Sequence, residues 1–407
     1  MARVLENVGK EVLKKNGIPI PESAVASSAE EARKAAEKIG CPIVIKALVT
    51  VGKRGKTGAV RFAENPDEAG RIAEEILSMT VRNFPVDRVL VEKKLDIRQE
   101  LYVSITYNSR EICPVVIASS AGGMDIEEIA KSHPAKVIKY PVYLAEGVHP
   151  YEVRAIWSDL GLRGGVLLNA TEITKRIFDL FLKYDCTIIE INPLAVTSNE
   201  EVVAAAVLMG VDDDALYRQP YFKNKVEVGS DRAWRPLSAL EKEMIEVDKM
   251  EAYRGTARYV EIDGGNIGFF CGGGGGSLLS YDALIRFGGK PANYTEFGGN
   301  PPEAKVRGLV KGVLSKHGVK GFFMNMNITN NTQTDIVAKG IIGAFKDLNI
   351  NPQKFPAVVR LAGVHDAMAR RLCEAIGLEY HGDDITMEDT ARIMVSKMEK
   401  AYPEEEY

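Results

Sequence analysis

Apolar positions in the first half of the chain alternate between two spacings. Short β-rich runs at 41–46 (CPIVIK), 88–92 (RVLVE), 99–105 (QELYVSI) and 112–118 (ICPVVIA) predict strands. Helical spacing lies between and around them. Ala69, Ile72, Ala73 and Ile76 fall on one face behind the start signal Asn65, Pro66 and Glu68, and Ser28 with Glu31 forms a capping box for a helix that Gly40 ends. The opening MARVLENVGKEVLKKNG also spaces its apolar residues as a helix, and it lacks the apolar core of a secretory signal. TIIEIN at 187–192 and VVAAAV at 202–207, joined across SNEE, predict an antiparallel pair.

The segment from Tyr217 to Tyr253 is charged and irregular and reads as an interdomain connection. Beyond it the order becomes strand, glycine-rich loop, helix, strand, helix, as in a doubly wound parallel sheet. Asn300 with Pro301 and Glu303, Thr334, and Thr386 with Asp389 mark helix starts, and VKGFFMNM and FPAVVR supply strands between the helices. The expected organisation is a mixed α/β domain over 1–240 followed by a doubly wound domain over 241–407.

The length of 407 residues suits two or three domains, and 45% hydrophobic with 27% charged residues excludes a disordered or collagenous chain. With 52 basic against 56 acidic side chains the net charge is −4, so no global positive field recruits nucleic acid or an anionic membrane. The apolar run 202–211 is about half of what spanning a bilayer requires. Five cysteines, odd in number and never in a CxxC spacing, argue against disulfides and zinc, and a cytoplasmic location is expected. The five histidines never pair at metal spacing, and each reads as a surface or core residue.

Two segments concentrate chemistry. Lys46 ends a strand and leads into a loop carrying Lys53, Arg54 and Lys56 between Gly52, Gly55 and Gly58. Glycine backbone amides and cations together suit a polyphosphate, although no Walker A sequence occurs and a solvated hairpin is the alternative. The second segment is Gly272 to Gly276, between a strand and a helix, where bare N–H groups suit carboxylate or phosphate oxygens and Ser277 adds a hydroxyl. The donors Asn325, Asn327, Thr329, Asn330, Asn331 and Thr332 crowd a later turn, for which a polar turn with a helix cap is the alternative.

VLVEK with Glu92, QELYVSI with Glu100, AGGMDIEE, and IIEINPL with Glu190 and Asn192 resemble the ATP-grasp fold of the β subunit of succinyl-CoA synthetase and its relatives. ALYRQP, NIG, GGKPANY and KGIIGA extend the resemblance over essentially the whole chain. It implies an ATP-grasp domain followed by a flavodoxin-like CoA-ligase domain. Lys46, Lys53, Arg54, Gly55 and Lys56 would then hold ATP phosphates, Glu92 would lie at the adenine hinge, and Glu100 would lie near the ribose. Glu190 would stand by the transferred phosphoryl group, with Asn192 at the Mg²⁺. The family's usual metal-binding Asp is replaced by Ala206, leaving Asp212, Asp213 or Asp214 as substitutes, a metal held mainly by Asn192, Glu190 and phosphate, or an impaired site.

In the carboxylate loops the chain looks more like ATP-citrate lyase and the large subunit of citryl-CoA synthetase. That resemblance implies citrate contacts from Gly274, Gly275, Ser277, Asn330, Asn331 and Thr332, with Arg360 as a further candidate. The family passes its phosphoryl group through a histidine on a separate α-type subunit, which also supplies most of the CoA site. The expected protein is thus a β-type subunit of a hetero-oligomeric, ADP-forming acid–CoA ligase using ATP and Mg²⁺, with citrate as its carboxylic acid. No lyase domain is expected within these residues, so cleavage of citryl-CoA would need another chain or region. Succinate is the alternative acid, and a catalytically impaired regulatory nucleotide-binding subunit is the alternative of another class.

Overall fold

A computed structural model describes residues 2–50, 57–124, 126–223, 225–227 and 235–404. The chain divides into two compact units, Met1–Pro236 and Leu237–Tyr407.

Two main antiparallel sheets build the first unit, beside a two-stranded pair of Thr80–Val81 with Phe84–Pro85. The smaller has the order Ser23–Ala26, Val89–Lys93, Ile43–Ala47, Val60–Ala63. Helices Ala29–Ile39 and Pro66–Leu77 cover it with alanine and isoleucine faces. Both start where the sequence signals them: Ser28 Oγ accepts the Glu31 N–H at 3.2 Å, and Asn65 Oδ1 accepts the Glu68 N–H at 2.9 Å. The larger sheet centres on two long strands, Ile97–Asn108 and Cys186–Thr197, paired antiparallel with Glu190 opposite Ser104. The Trp157, Phe178 and Phe181 side chains of helices Pro150–Asp159 and Gly164–Lys183 lie buried in its core.

Three expectations change. The N-terminus is not helical from its start, since Ala2–Val4 forms a strand against Val207–Val211 and the helix runs Glu6–Lys15. RVLVE and QELYVSI, read as successive strands, divide between two sheets: the first lies in the small sheet and the second in the large one. VVAAAV breaks at Ala205 and Ala206 into two strands, both of which pair with Cys186–Thr197.

In the second unit five parallel strands follow the order Asn293–Phe297, Ile267–Gly272, Gly321–Gln333, Ala357–Val364, Glu379–His381, with Ala257–Glu261 antiparallel on the edge. This 2-1-3-4-5 arrangement of the parallel strands is the flavodoxin-like order. Helices Gly274–Arg286 and Met387–Ala401 pack on one face and Glu303–Ser315, Thr334–Asp347 and Asp366–Glu374 on the other, so the winding direction switches between Ile267–Gly272 and Gly321–Gln333. Such a switch opens a crevice at the carboxyl ends of the strands. The 217–253 stretch is not all connection, because Ala239–Asp248 is a helix whose capping box joins Ser238 to Glu241. Asn300 is not a cap either: the helix starts at Glu303 after Pro302, and the Asn300 N–H goes to Thr332 Oγ1.

A buried side chain completes the sheet beneath the crevice. Regular pairing of Ile267–Gly272 with Asn293–Phe297 begins only at Cys271. One step earlier, the Asn293 carboxamide accepts the Phe269 N–H at 3.1 Å and donates to the Phe269 carbonyl at 2.7 Å. Asn293→Ala should leave two buried backbone groups unsatisfied and lower stability by about 2 kcal/mol or more, read by denaturant unfolding. A loss near zero would show that the strand pairs without the amide.

Candidate functional site

In the first unit, a cavity of about 840 Å³ opens between the two sheets, within the range of small-molecule and cofactor sites. The small sheet contributes Val44, Val60 and Phe62 as apolar wall, and the large sheet contributes Glu190 and Asn192. Lys46 lies between, at the end of its strand as the sequence places it.

Lys46 belongs to a buried cluster of four charges. Its ammonium lies 2.5 Å from Glu92 Oε2 and 3.1 Å from Glu6 Oε1. Lys10, only 1% exposed, pairs with Glu92 and, at 3.2 Å, with Glu6. Both ammonium groups also donate to the Ala205 carbonyl at 2.8 Å. Burial first, and the neighbouring Lys46 next, push the Lys10 ammonium below the ordinary lysine range, while Glu6 and Glu92 oppose the shift. Glu92 is therefore neither an exposed strand carboxylate nor a free acceptor for a base edge; it is buried and committed to two lysines. Glu6, Lys10 and Ala205 carried no sequence signal. Lys53, Arg54, Gly55 and Lys56 lie outside the described residues.

Glu100 sits exposed on the cavity wall against the glycines of the AGGMD segment. Its carbonyl accepts the Gly122 N–H at 2.8 Å, and Gly123 carries a φ of +71°, where a Cβ would also displace the Glu100 carboxylate. The Glu190 Oε2 lies 3.0 Å from the Tyr102 hydroxyl. Asn192 is used as a clamp: its Oδ1 accepts the Gly123 N–H at 2.7 Å and its Nδ2 donates to the Met124 carbonyl at 3.0 Å.

This arrangement does not fit a divalent ion on its own. Ala206 and Leu208 line the cavity beside Glu190 and Asn192, and Glu100 and Glu127 lie on its wall, yet no three His, Cys, Asp or Glu groups converge among the described residues. Asp212, Asp213 and Asp214 do not substitute. Asp212 follows the far end of Val207–Val211, where its N–H bonds the Asp185 carbonyl, six residues or about 20 Å of extended chain from Ala206.

In the second unit the five glycines are not all loop. The strand ends at Gly272 and the helix starts at Gly274, so three of them form its first turn. They do different work. A Cβ on Gly272 would strike Met326 at 2.6 Å, and Gly273 carries a φ of +82°, whereas Gly274 and Gly275 meet nothing within 4 Å and leave the amides open. Asn327, a residue with no distinct signal among its neighbouring asparagines, flanks this turn, its side chain 3.5 Å from a Cβ at Gly276.

Other expected donors face inward. Ser277 is fully buried, with its hydroxyl 2.7 Å from Glu296 Oε2 and 2.6 Å from the Tyr294 hydroxyl, so it braces the helix from beneath. Burial chiefly, with Glu296 adding to it, pushes the Tyr294 phenol up to about 12. Thr332 is 2% exposed and accepts the Asn300 N–H at 3.0 Å. Arg360 is 5% exposed and donates to the carbonyls of Met326 and, at 2.9 Å, Ile385. Asn330 and Asn331 remain exposed, on an excursion between Thr329, opposite Gly363, and Gln333, opposite Val364.

Two expectations follow for the first unit. Lys10→Met leaves Glu6 and Glu92 sharing one cation, which should destabilise the chain by about 3 kcal/mol in urea unfolding and weaken ATP binding in calorimetry; unchanged stability would mean that the cluster is not coupled. Wild-type ATP affinity should be similar in Mg²⁺ and in EDTA, and Ala206→Asp should make Mg²⁺ strengthen it. A wild-type affinity that rises about tenfold or more with Mg²⁺, some 1.4 kcal/mol, would reveal a metal site that the described residues do not supply.

Residues 3–196 match the model of the ATP-grasp domain family, and residues 235–393 match that of the ATP citrate lyase citrate-binding family. The β subunit of ADP-forming succinate–CoA ligase from Ignicoccus hospitalis is 36% identical over 375 residues, covering 92% of this chain and 94% of the relative. Its counterpart from Halobacterium salinarum is 36% identical over 401 residues, 98% of each chain. A solved ATP citrate lyase from Methanothrix soehngenii, in complex with citrate and coenzyme A, shares the fold with a TM-score of 0.79 at 18% identity over 97% of this chain and 99% of that one. With that identity over almost its full length, the chain belongs to the family of β subunits of ADP-forming succinate–CoA ligases.

Proposed function

We propose that this chain is the ATP-binding β-type subunit of an ADP-forming acid–CoA ligase whose acid is citrate. The observation that carries the reading is the coincidence of two features in one stretch: the match of 235–393 to the citrate-binding family, and the open Gly274–Gly275 turn flanked by Asn327 at the topological switch. Amides and carboxamides suit a ligand with several carboxylates, because each buried carboxylate left without a donor is costly.

In the proposed reaction ATP binds the first unit's cavity, with Lys46 and the 53–56 cations against its phosphates, Glu92 holding Lys46 in place, and Glu100 at the rim near the ribose. Glu190 and Asn192 close the opposite wall. The γ-phosphoryl passes to a histidine nitrogen of a partner α-type subunit, releasing ADP. A citrate carboxylate oxygen then takes it, freeing the histidine and forming citryl phosphate. The thiolate of CoA, bound mainly by the partner, attacks that carbonyl and expels phosphate. For this chain the work is positioning and charge neutralisation.

Succinate is the second reading, favoured by the activity named for the relatives at 36% identity. Ala206 at the cavity wall favours a third, a regulatory subunit that binds nucleotide without turning it over.

The purified chain should form no acyl-CoA alone and gain activity with its α-type partner; robust ligation by the single chain would refute the half-enzyme reading. In the complex, Asn330→Ala with Asn331→Ala should lower kcat/KM for citrate by at least about tenfold, some 1.4 kcal/mol, with ATP binding intact. An unchanged value would remove the excursion from the acid site.

A further inference from the structure

The second unit places a histidine and an aspartate where the proposed function assigned nothing. His365 follows the last residue of the strand Ala357–Val364, at the carboxyl edge of the parallel sheet. Its backbone is left-handed, with φ +65° and ψ +25°, a conformation that side chains with a Cβ adopt at a cost. This backbone turn starts the helix Asp366–Glu374. The ring is fixed from one side: Nδ1 lies 3.1 Å from Asp335 Oδ1. Asp335 is 8% exposed, and its other oxygen accepts from Lys339 at 2.9 Å, so the carboxylate is held by two partners. The two helix starts are tied together beside the ring, where Thr334 Oγ1 donates to the Val364 carbonyl at 2.9 Å.

The imidazole itself faces out, with 55% of the side chain exposed. Its surroundings are limited. Asp335 and Lys339 are the charged groups from the neighbouring helix, and Asp366, next in the chain, turns its carboxylate onto the Ala367 N–H. The adjoining strand brings Thr329 opposite Gly363, and neither titrates. The Asn330–Thr332 excursion leaves that strand directly opposite the Gly363–Val364 step, one residue before His365. An oriented nitrogen thus stands at the same edge of the sheet as the exposed asparagines.

We infer that His365, held by Asp335, binds a carboxylate of the acid substrate through Nε2 and sets the preference of the site for polyanionic acids. The inference rests on the proposed acid–CoA ligase function and adds a residue that neither glycine turn nor asparagine excursion supplies. An imidazolium offers a charge-assisted donor, and a neutral ring offers at most an uncharged one.

The test compares wild type with His365→Asn in the assembled complex. Asparagine tolerates left-handed backbone and caps helices, so the local fold is preserved while the ionisable nitrogen is lost. Calorimetric titration with citrate at pH 6 should show the variant weaker by about tenfold. Protonation of citrate itself cancels in that ratio. ATP affinity should stay unchanged. Equal affinities of the two proteins at pH 6 would overturn the inference and leave the pair as a helix-capping contact. A measurement on the wild type alone guards against a variant that fails to fold: saturating citrate should protect His365 from diethyl pyrocarbonate, read by mass spectrometry, and full labelling in its presence would equally refute the role. If the wild type binds succinate and not citrate, the citrate reading fails, and the same comparison with succinate decides His365 by itself.

Discussion

Two lysines and two glutamates share one nearly dry space in the first unit, and the cavity between its sheets is arranged around that pairing. Glu6 and Lys10 come from the first helix, Lys46 and Glu92 from adjacent strands of the small sheet, and the Ala205 carbonyl from the break between two strands of the large one. The cluster ties the two sheets together at the point where they would grip a ligand. Neither cation could be buried alone, and neither acid could be, so each element is held in register by the charge of the others. Lys46, the most exposed member, is thereby presented to the cavity with a fixed ammonium. On the proposed function, an incoming polyanion would share Lys46 with two carboxylates.

The second unit obtains its binding potential from backbone instead of charge. Its 2-1-3-4-5 strand order opens a crevice at the switch between Ile267–Gly272 and Gly321–Gln333, and the glycine turn sits at the end of the first of these strands. Side chains that a sequence would offer as ligands support it from behind. Ser277 hydrogen-bonds to Tyr294 and Glu296, Arg360 to two carbonyls, and Thr332 to the Asn300 amide. What remains toward solvent is a set of amides on Gly274 and Gly275, the carboxamides of Asn327, Asn330 and Asn331, and the His365 ring.

Much of this was legible in the sequence because it depends on local spacing. The caps at Ser28, Asn65 and Thr386, the paired strands at 186–204 and the doubly wound order need only near neighbours in the chain. The resemblance carried Lys46 and the carboxylate loops. The rest depends on partners far apart: Lys10 meets Glu92 across 82 residues and the Ala205 carbonyl across 195, and no periodicity encodes such meetings. Inward and outward donors were confused for a related reason. A serine at a helix start reads as a free donor until the strand beneath is known to carry Glu296. The Ala2–Val4 strand was hidden because three residues of strand, held by pairing with Val207–Val211 on one side and Val226–Glu227 on the other, leave too short a pattern to outweigh the helix that follows.

The first unit's cavity holds no complete metal site among the described residues, the crevice of the second exposes amides, and the proposed function turns on the identity of the acid. The most direct measurement is the ratio of kcat/KM for citrate and succinate in the reconstituted complex, followed as ADP release at saturating ATP and CoA. Citrate should be preferred, since a site furnished with donors for several carboxylates leaves some unpaired with succinate. A clear preference for succinate would contradict it and return the chain to the activity named for its relatives.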